Sequence, residues 1–441
     1  MKRFLGELLE AVTDRGRALR QRLPARPRSD HETSPSLAEL AEELLSVRGE
    51  ASGVETARRL LERYNEAAAN ERLEFFRLLS SAFGPDRDKV EAAITNYATN
   101  PDAIEDLHAA SEPRRQELLR RLNLAPGGTA ALVRMRADLL GQVPNDPALV
   151  NVDAAFLHLF SSWFNRGFLV LGRIDWTTPA NILEKIIKYE AVHEIKGWDD
   201  LRRRLEPDDR RCFAFFHPQL ADDPLIFVEV ALTDGIPKSV DALLSDSRQV
   251  LPREQMTAAV FYAISNCQKG LERVTFGNFL IKQVVKELKS SNALLSTFVT
   301  LSPIPGFRAW LSQMPEAGAL IAELETAKAD GLLDADARIS GLQVNLCALV
   351  ARYLLTAKDT RGRPLDSVAR FHLSNGARLE RVQFMADRSS RGWQQSFGAM
   401  VNYQYELADI TVNHERYAQR HEVVASPEVR SLITGPALSA A

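Results

Sequence analysis

Between residues 37 and 143 the apolar positions recur every three or four residues. Leu37, Leu40, Ala41, Leu44 and Leu45 make one stripe, which stops before Gly49. Ala57, Leu60, Leu61 and Tyr64 make a second, and Leu73, Phe76, Leu79 and Phe83 a third that ends at Gly84-Pro85. This spacing gathers apolar side chains on one face of a helix, and a Gly-Pro pair stops it. Further helices are predicted over 90–97, through Leu107, Leu118, Leu119 and Leu122 as far as the Pro126-Gly127-Gly128 break, and over 131–140. The pattern predicts an all-helical domain over 37–150. No fixed repeat length recurs, which argues against a solenoid.

After Pro144 the period shortens. Phe168-Leu169-Val170-Leu171, residues 212–216 and residues 225–232 are rich in β-branched and aromatic side chains, and 258–264 and 294–301 are further strand candidates. Between the last two lies a helix over 279–289, with Phe279, Leu280, Val284, Val285 and Leu288 on one face. Strands mixed with helices predict an α+β organisation: the helical domain, then a mixed catalytic domain over 151–425. Residues 1–36 read as an N-terminal segment and a Pro/Ser/Arg-rich linker, and 426–441 as a C-terminal tail.

Composition narrows the class. The chain has 441 residues, 45% hydrophobic and 26% charged, with a formal net charge of −3. That length suits two cores, and the charge balance gives no reason to expect nucleic acid or an anionic membrane as partner. Cys212, Cys267 and Cys347 are widely spaced and form no CxxC pair, so neither a disulfide framework nor a zinc site is expected. Such sparse cysteine fits a reducing compartment, and a cytoplasmic location is the expectation. No uninterrupted apolar run reaches membrane-spanning length. Residues 1–28 are Arg-rich like a transit segment, but Glu7, Glu10 and Asp14 favour an amphipathic helix there.

Three segments could carry chemistry. The loop 267–278 joins a strand to a helix and ends on Gly277-Asn278. A helix N-terminus offers free N–H groups to a phosphate, and Lys269 and Arg273 add charge. An ordinary strand-to-helix turn would look the same. In Leu301-Ser302-Pro303-Ile304-Pro305-Gly306-Phe307 two prolines stiffen the backbone beside Ser302. That suits a hydroxyl held for reaction, and equally a serine capping a turn; it is not a GxSxG elbow. In Phe371-His372-Leu373-Ser374-Asn375-Gly376-Ala377, His372 points opposite Phe371 and Leu373 if the segment is a strand, and Asn375-Gly376 is a strong turn signal. His372 could move protons near neutral pH or be a hydrogen-bonded core histidine. No HExxH or other metal pattern appears.

Taken together, the Ser-Pro-Ile-Pro-Gly-Phe and Phe-His-Leu-x-Asn-Gly-Ala strings, with Val192-His193, His217-Pro218, 226–232, Met385-Ala386-Asp387 and Met400-Val401-Asn402-Tyr403, resemble the malonyl-CoA decarboxylase family. The resemblance implies a helical N-terminal domain suited to homo-oligomer formation and a catalytic domain with an acetyl-CoA N-acetyltransferase-like fold. It implies Ser302 and His372 as catalytic residues. Substrate would be bound by the loop Glu272, Arg273, Val274, Thr275, Phe276, Gly277 and Asn278, and by Asn375. Malonyl-CoA and acetyl-CoA are the expected partners, with no metal or other cofactor, since the thioester can itself accept the electrons. An acetyl-CoA-dependent N-acetyltransferase and a non-catalytic CoA-binding scaffold are the alternatives.

Overall fold

The structure, a computed structural model, describes residues 35–46, 49–274, 280–331 and 337–434. It falls into two compact units, of which the first runs to Val170 and adds residues 216–225 and 268–276.

The first unit is helical. Its helices are α1 (Leu37–Ser46), α2 (Glu50–Glu66), α3 (Ala69–Ser81), α4 (Arg87–Thr99), α5 (Ile104–Ser111), α6 (Arg114–Asn123), α7 (Gly128–Leu140) and α8 (Val150–Trp163). The stripes read from the sequence are its core: Leu40, Leu44, Leu60, Phe76, Leu79, Leu118 and Leu122 are buried to within 1%. The Asp86 side chain caps α4 by accepting from the Lys89 N–H. The helical run extends past residue 150 into α8, which buries Val152, Phe156, Leu159 and Phe160.

The second unit holds β1 (Val170–Ile174), α9 (Ala180–Tyr189), α10 (Trp198–Leu205), β2 (Arg210–Phe216), β3 (Ile226–Thr233), α11 (Val240–Leu244), β4 (Ala258–Asn266), α12 (Leu280–Ser291) and β5 (Thr297–Thr300). It continues with α13 (Phe307–Leu311), α14 (Gly318–Ala329), α15 (Ala337–Thr356), α16 (Ser367–Ser374), β6 (Arg378–Gln383), α17 (Ser390–Ser396), β7 (Met400–Gln404), α18 (Ile410–Arg420) and α19 (Pro427–Thr434). Among the described residues the strands form one seven-stranded sheet in the order β1-β2-β3-β4-β5-β7-β6. β2, β3 and β4 pair antiparallel, as do β5–β7 and β6–β7, while β4 and β5 run parallel. Buried on both faces, β3 is apolar at six of its eight positions rather than alternating, with Glu229 buried among them.

Four expectations are corrected. The 168–171 strand begins only at Val170, because Phe168 closes a 3-10 turn. The 294–301 strand shortens to Thr297–Thr300. Residues 427–434, expected in a tail, form α19, whose Val429 is fully buried. His372 lies in a helix, not a strand: Asp366 caps α16 with bonds from the Val368 and Ala369 N–H groups, and that cap decides the segment. By length and composition alone Ile339–Thr356 in α15 could cross a membrane. Its Leu346, Val350, Ala351 and Leu354 are buried within the unit, as in a core helix.

Candidate active site

The site begins where two parallel strands part. β4 and β5 keep register from Ala258–Thr297 to Phe261–Thr300. One more bond follows, from the Leu301 N–H to the Phe261 carbonyl, 2.9 Å. Ser302 then turns to β7, exchanging backbone bonds with Val401 at 2.8 and 2.9 Å. β4 continues to Asn266 without that neighbour. The split is a pocket of about 260 Å³, walled by Phe261, Tyr262 and Ile264 on one side and by Ser302, Phe371 and His372 on the other. An unpaired strand edge also presents backbone N–H and C=O groups to it.

Ser302 and His372 meet there. Ser302 Oγ is 3.1 Å from His372 Nε2 and 2.8 Å from Thr300 Oγ1, and His372 Nδ1 is 2.8 Å from the Tyr405 hydroxyl. Tyr405, His372, Ser302 and Thr300 thus form one hydrogen-bonded chain. A hydroxyl carries one proton. If Ser302 donates to Thr300, then His372 donates from Nε2 and accepts from Tyr405 at Nδ1. If Ser302 donates to His372, the chain reverses and Nδ1 carries the ring proton. The chain can therefore relay a proton between its ends, with the imidazole changing tautomer as it passes.

The surroundings keep the imidazole neutral. His372 is 3% exposed, and burial pushes its pKa down to about 3. Tyr403 stacks on the ring with centroids 4.6 Å apart and planes at 21°. Burial also pushes the Tyr403 and Tyr405 phenols well above their ordinary range. The backbone is tied as firmly: the Tyr403 N–H donates to Thr300 Oγ1 at 3.0 Å, and Asn402 Nδ2 to the Thr300 carbonyl at 2.7 Å. Asp366 also reaches the Gly306 N–H at 3.4 Å, joining the histidine's helix to the Pro-Ile-Pro-Gly turn.

The remaining expected site residues that the structure describes are not in the lining of this pocket. Asn375 is buried, but its Nδ2 turns back to the Phe371 carbonyl at 2.8 Å, and its Oδ1 has no partner. Asn375-Gly376 ends a helix rather than turning a hairpin, with Gly376 at φ 83°. Glu272, Arg273 and Val274 belong to the helical unit. There the buried Arg136 holds the carbonyls of Gly270 and Glu272 at 2.6 and 2.9 Å and pairs with Asp153 at 2.9 Å. Arg273 takes the other Asp153 oxygen, so its charge is already engaged. Thr275, Phe276, Gly277 and Asn278 lie outside the described residues. Sequence reasoning missed Tyr405 and Thr300. The Met-Val-Asn-Tyr string ends two residues before Tyr405, and the Leu301–Phe307 string begins one residue after Thr300.

Comparison with known proteins identifies the family. The chain matches the malonyl-CoA decarboxylase N-terminal domain over residues 83–164 and the C-terminal domain over 167–441. It is 34% identical over 408 residues to the mitochondrial malonyl-CoA decarboxylase of Rattus norvegicus, covering 83% of this chain and 82% of that protein. The malonyl-CoA decarboxylase structure from Rhodopseudomonas palustris superposes with a TM-score of 0.86 at 51% identity, covering 90% of this chain and 98% of that one. The structure from Agrobacterium vitis gives 0.84 at 53%, covering 90% and 99%. With both domain models matched in order and relatives this similar over most of its length, the chain belongs to the malonyl-CoA decarboxylase family of carboxy-lyases.

Proposed function

We propose that this chain decarboxylates malonyl-CoA to acetyl-CoA and CO2 through a thioester enolate, with Ser302 and His372 as the catalytic pair. The activity follows from family membership. The pair is supported by one observation above all, the 3.1 Å contact between the two side chains at the head of the split. In the reaction the bond between C2 and the carboxylate carbon breaks. Its electrons pass to the thioester carbonyl, CO2 leaves, and one proton is then taken up at C2. The thioester is the electron sink.

The Ser302 hydroxyl donates to the charge that develops on the substrate oxygen, and backbone N–H groups of the open β4 edge assist. A preorganised donor aimed at developing charge is worth ~3–4 kcal/mol. His372 stays neutral, orients Ser302 and passes a proton along the chain from Tyr405. A thioester enolate is a strong base, so a neutral donor suffices. Malonyl-CoA is held on its CoA side by the loop 272–278. We also assign the helical unit to homo-oligomer assembly; Ile94, Tyr97 and Ile104 are exposed on it, and self-association would cover such side chains. The proposed setting is cytoplasmic, where the enzyme would use malonate-derived thioester or limit malonyl-CoA for fatty acid synthesis.

The test is mass-spectrometric detection of products after purified protein is mixed with malonyl-CoA and no added cofactor. Equimolar acetyl-CoA and CO2, lost in His372→Ala, is the expected result. Unchanged malonyl-CoA would overturn the activity; full turnover by the variant would overturn the pair. Light scattering tests the assembly, which a monomer at every concentration would exclude.

A further inference from the structure

The second unit contains another cavity, of about 480 Å³, near the opposite end of β4 from the split. Met256, just before β4, forms part of it, whereas the catalytic pocket begins at Phe261. At 3.3 Å per residue that separation is roughly 17 Å along the strand. Three arginines converge on the cavity: Arg173 from β1, Arg211 from β2 and Arg253 from the turn before β4. One carboxylate, Asp208, stands with them.

None of the three guanidiniums is paired with a carboxylate among the described residues. Arg211 Nη1 donates to the backbone carbonyls of Asp208 and Arg210, and Arg253 Nη2 to that of Ser291. Exposed arginines elsewhere in the unit, such as Arg203, Arg308 and Arg363, do find carboxylates. Burial and then the charge of Arg173 weaken the hold of Arg211 on its proton, with a further contribution from Arg253, so the three charges act on one another. Gathering like charges is unfavourable unless an anion offsets them.

A second observation points the same way. Asn292 lines the cavity at 6% exposure, and its Nδ2 has no hydrogen-bond partner. Its Oδ1 is engaged by the Leu294 N–H at 3.1 Å, which fixes the amide with its donors free. A buried amide donor without a partner is costly, and an acceptor entering the cavity would satisfy it. The remaining wall is apolar, formed by Leu232, Leu251 and Met256, with half-exposed Val250 at the rim.

We propose that this cavity is a second ligand site, separate from the catalytic pocket, that binds a phosphate-class anion. The guanidiniums and Asn292 hold the phosphoryl oxygens, and the apolar wall takes a small organic group attached to it. Guanidinium forks match phosphate oxygens in pairs, and the cavity volume is that of a small-molecule site.

The test is calorimetric titration of the full-length protein at low salt with two probes, inorganic phosphate and phenyl phosphate. Saturable one-to-one binding is expected, weakened at least tenfold in Arg173→Gln/Arg253→Gln and unaffected by Ser302→Ala. Both arginines are exposed, so the double variant should keep its circular dichroism; Arg173→Lys/Arg253→Lys, which retains the charge, should keep measurable binding. Tighter phenyl phosphate would assign an organic phosphate, and equal affinities would assign free phosphate. Absence of saturable binding, or binding that the glutamine variant retains in full, overturns the site.

Discussion

Ser302 Oγ and His372 Nε2 lie 3.1 Å apart, although 70 residues separate them in the chain. One comes from the turn that ends β5, the other from the last turn of a helix capped by Asp366. Two rigid elements therefore hold the pair, and both side chains are buried.

Removing the hydroxyl should lower turnover far more than binding. For Ser302→Ala the expected loss in kcat is about 10²–10³-fold, the effect of deleting one oxyanion donor. KM should move little, because in the proposed mechanism the hydroxyl acts on charge that develops only during bond breaking. Steady-state kinetics checks this, and a kcat within twofold of the parent would remove Ser302 from the mechanism.

Tyr405→Phe deletes the partner of His372 Nδ1 and leaves the ring free to change tautomer. A fall in kcat of roughly 10²-fold is expected, the lower end of general acid–base contributions. The protein should remain folded by circular dichroism. Unchanged kcat would show that the chain ends functionally at the histidine.

The depressed pKa of His372, about 3 against an ordinary 6.5, has a signed consequence for stability. Between those values the unfolded chain binds a proton that the folded chain refuses. Stability from this group is thus fully present above pH 6.5 and declines as pH falls toward 3. In His372→Gln, urea midpoints measured from pH 7 to 4 should fall less steeply than in the parent. The parent kcat profile should also lack a limb near pH 6.5; finding one would mean that the ring titrates in the working enzyme.

Arg136→Met tests the anchoring of the loop. The change removes the group that holds Gly270 and Glu272 and leaves Asp153 with Arg273 alone. Breaking a buried pair from one side costs about 3–5 kcal/mol. Chemical denaturation should show that loss, together with a raised KM for malonyl-CoA if residues 272–278 bind it. A stable variant with unchanged KM would separate the loop from substrate binding.

Gly376→Ala probes the end of α16. Gly376 has φ 83°, and a Cβ there would lie 2.2 Å from the Ile410 carbonyl oxygen. Strain and overlap together should cost about 1–3 kcal/mol and displace the histidine's helix. A melting temperature and kcat equal to the parent's would refute that reading.

The helical half was legible because its signal is local. Leu37, Leu40, Ala41 and Leu44 need only the 3.6-residue period to declare a face, and they are buried as that period demands. β3 was legible from its mostly apolar composition, and Ser302 and His372 stood out as candidates in two distinctive strings. His372 was assigned to a strand because its neighbours alternate over three residues, too short a window to outweigh the Asp366 cap. No local pattern could report that Tyr405 and Thr300 complete the chain through His372, or that Arg136 reaches a loop more than 130 residues away. Residue type and spacing alone set which segments have an apolar face and which side chains can do chemistry. Which of those side chains touch, and so how the imidazole is held neutral, was decided only by the tertiary structure. Hydrogen bonds reach about 3 Å, and only the folded sheet brings residues so distant in the chain within that range.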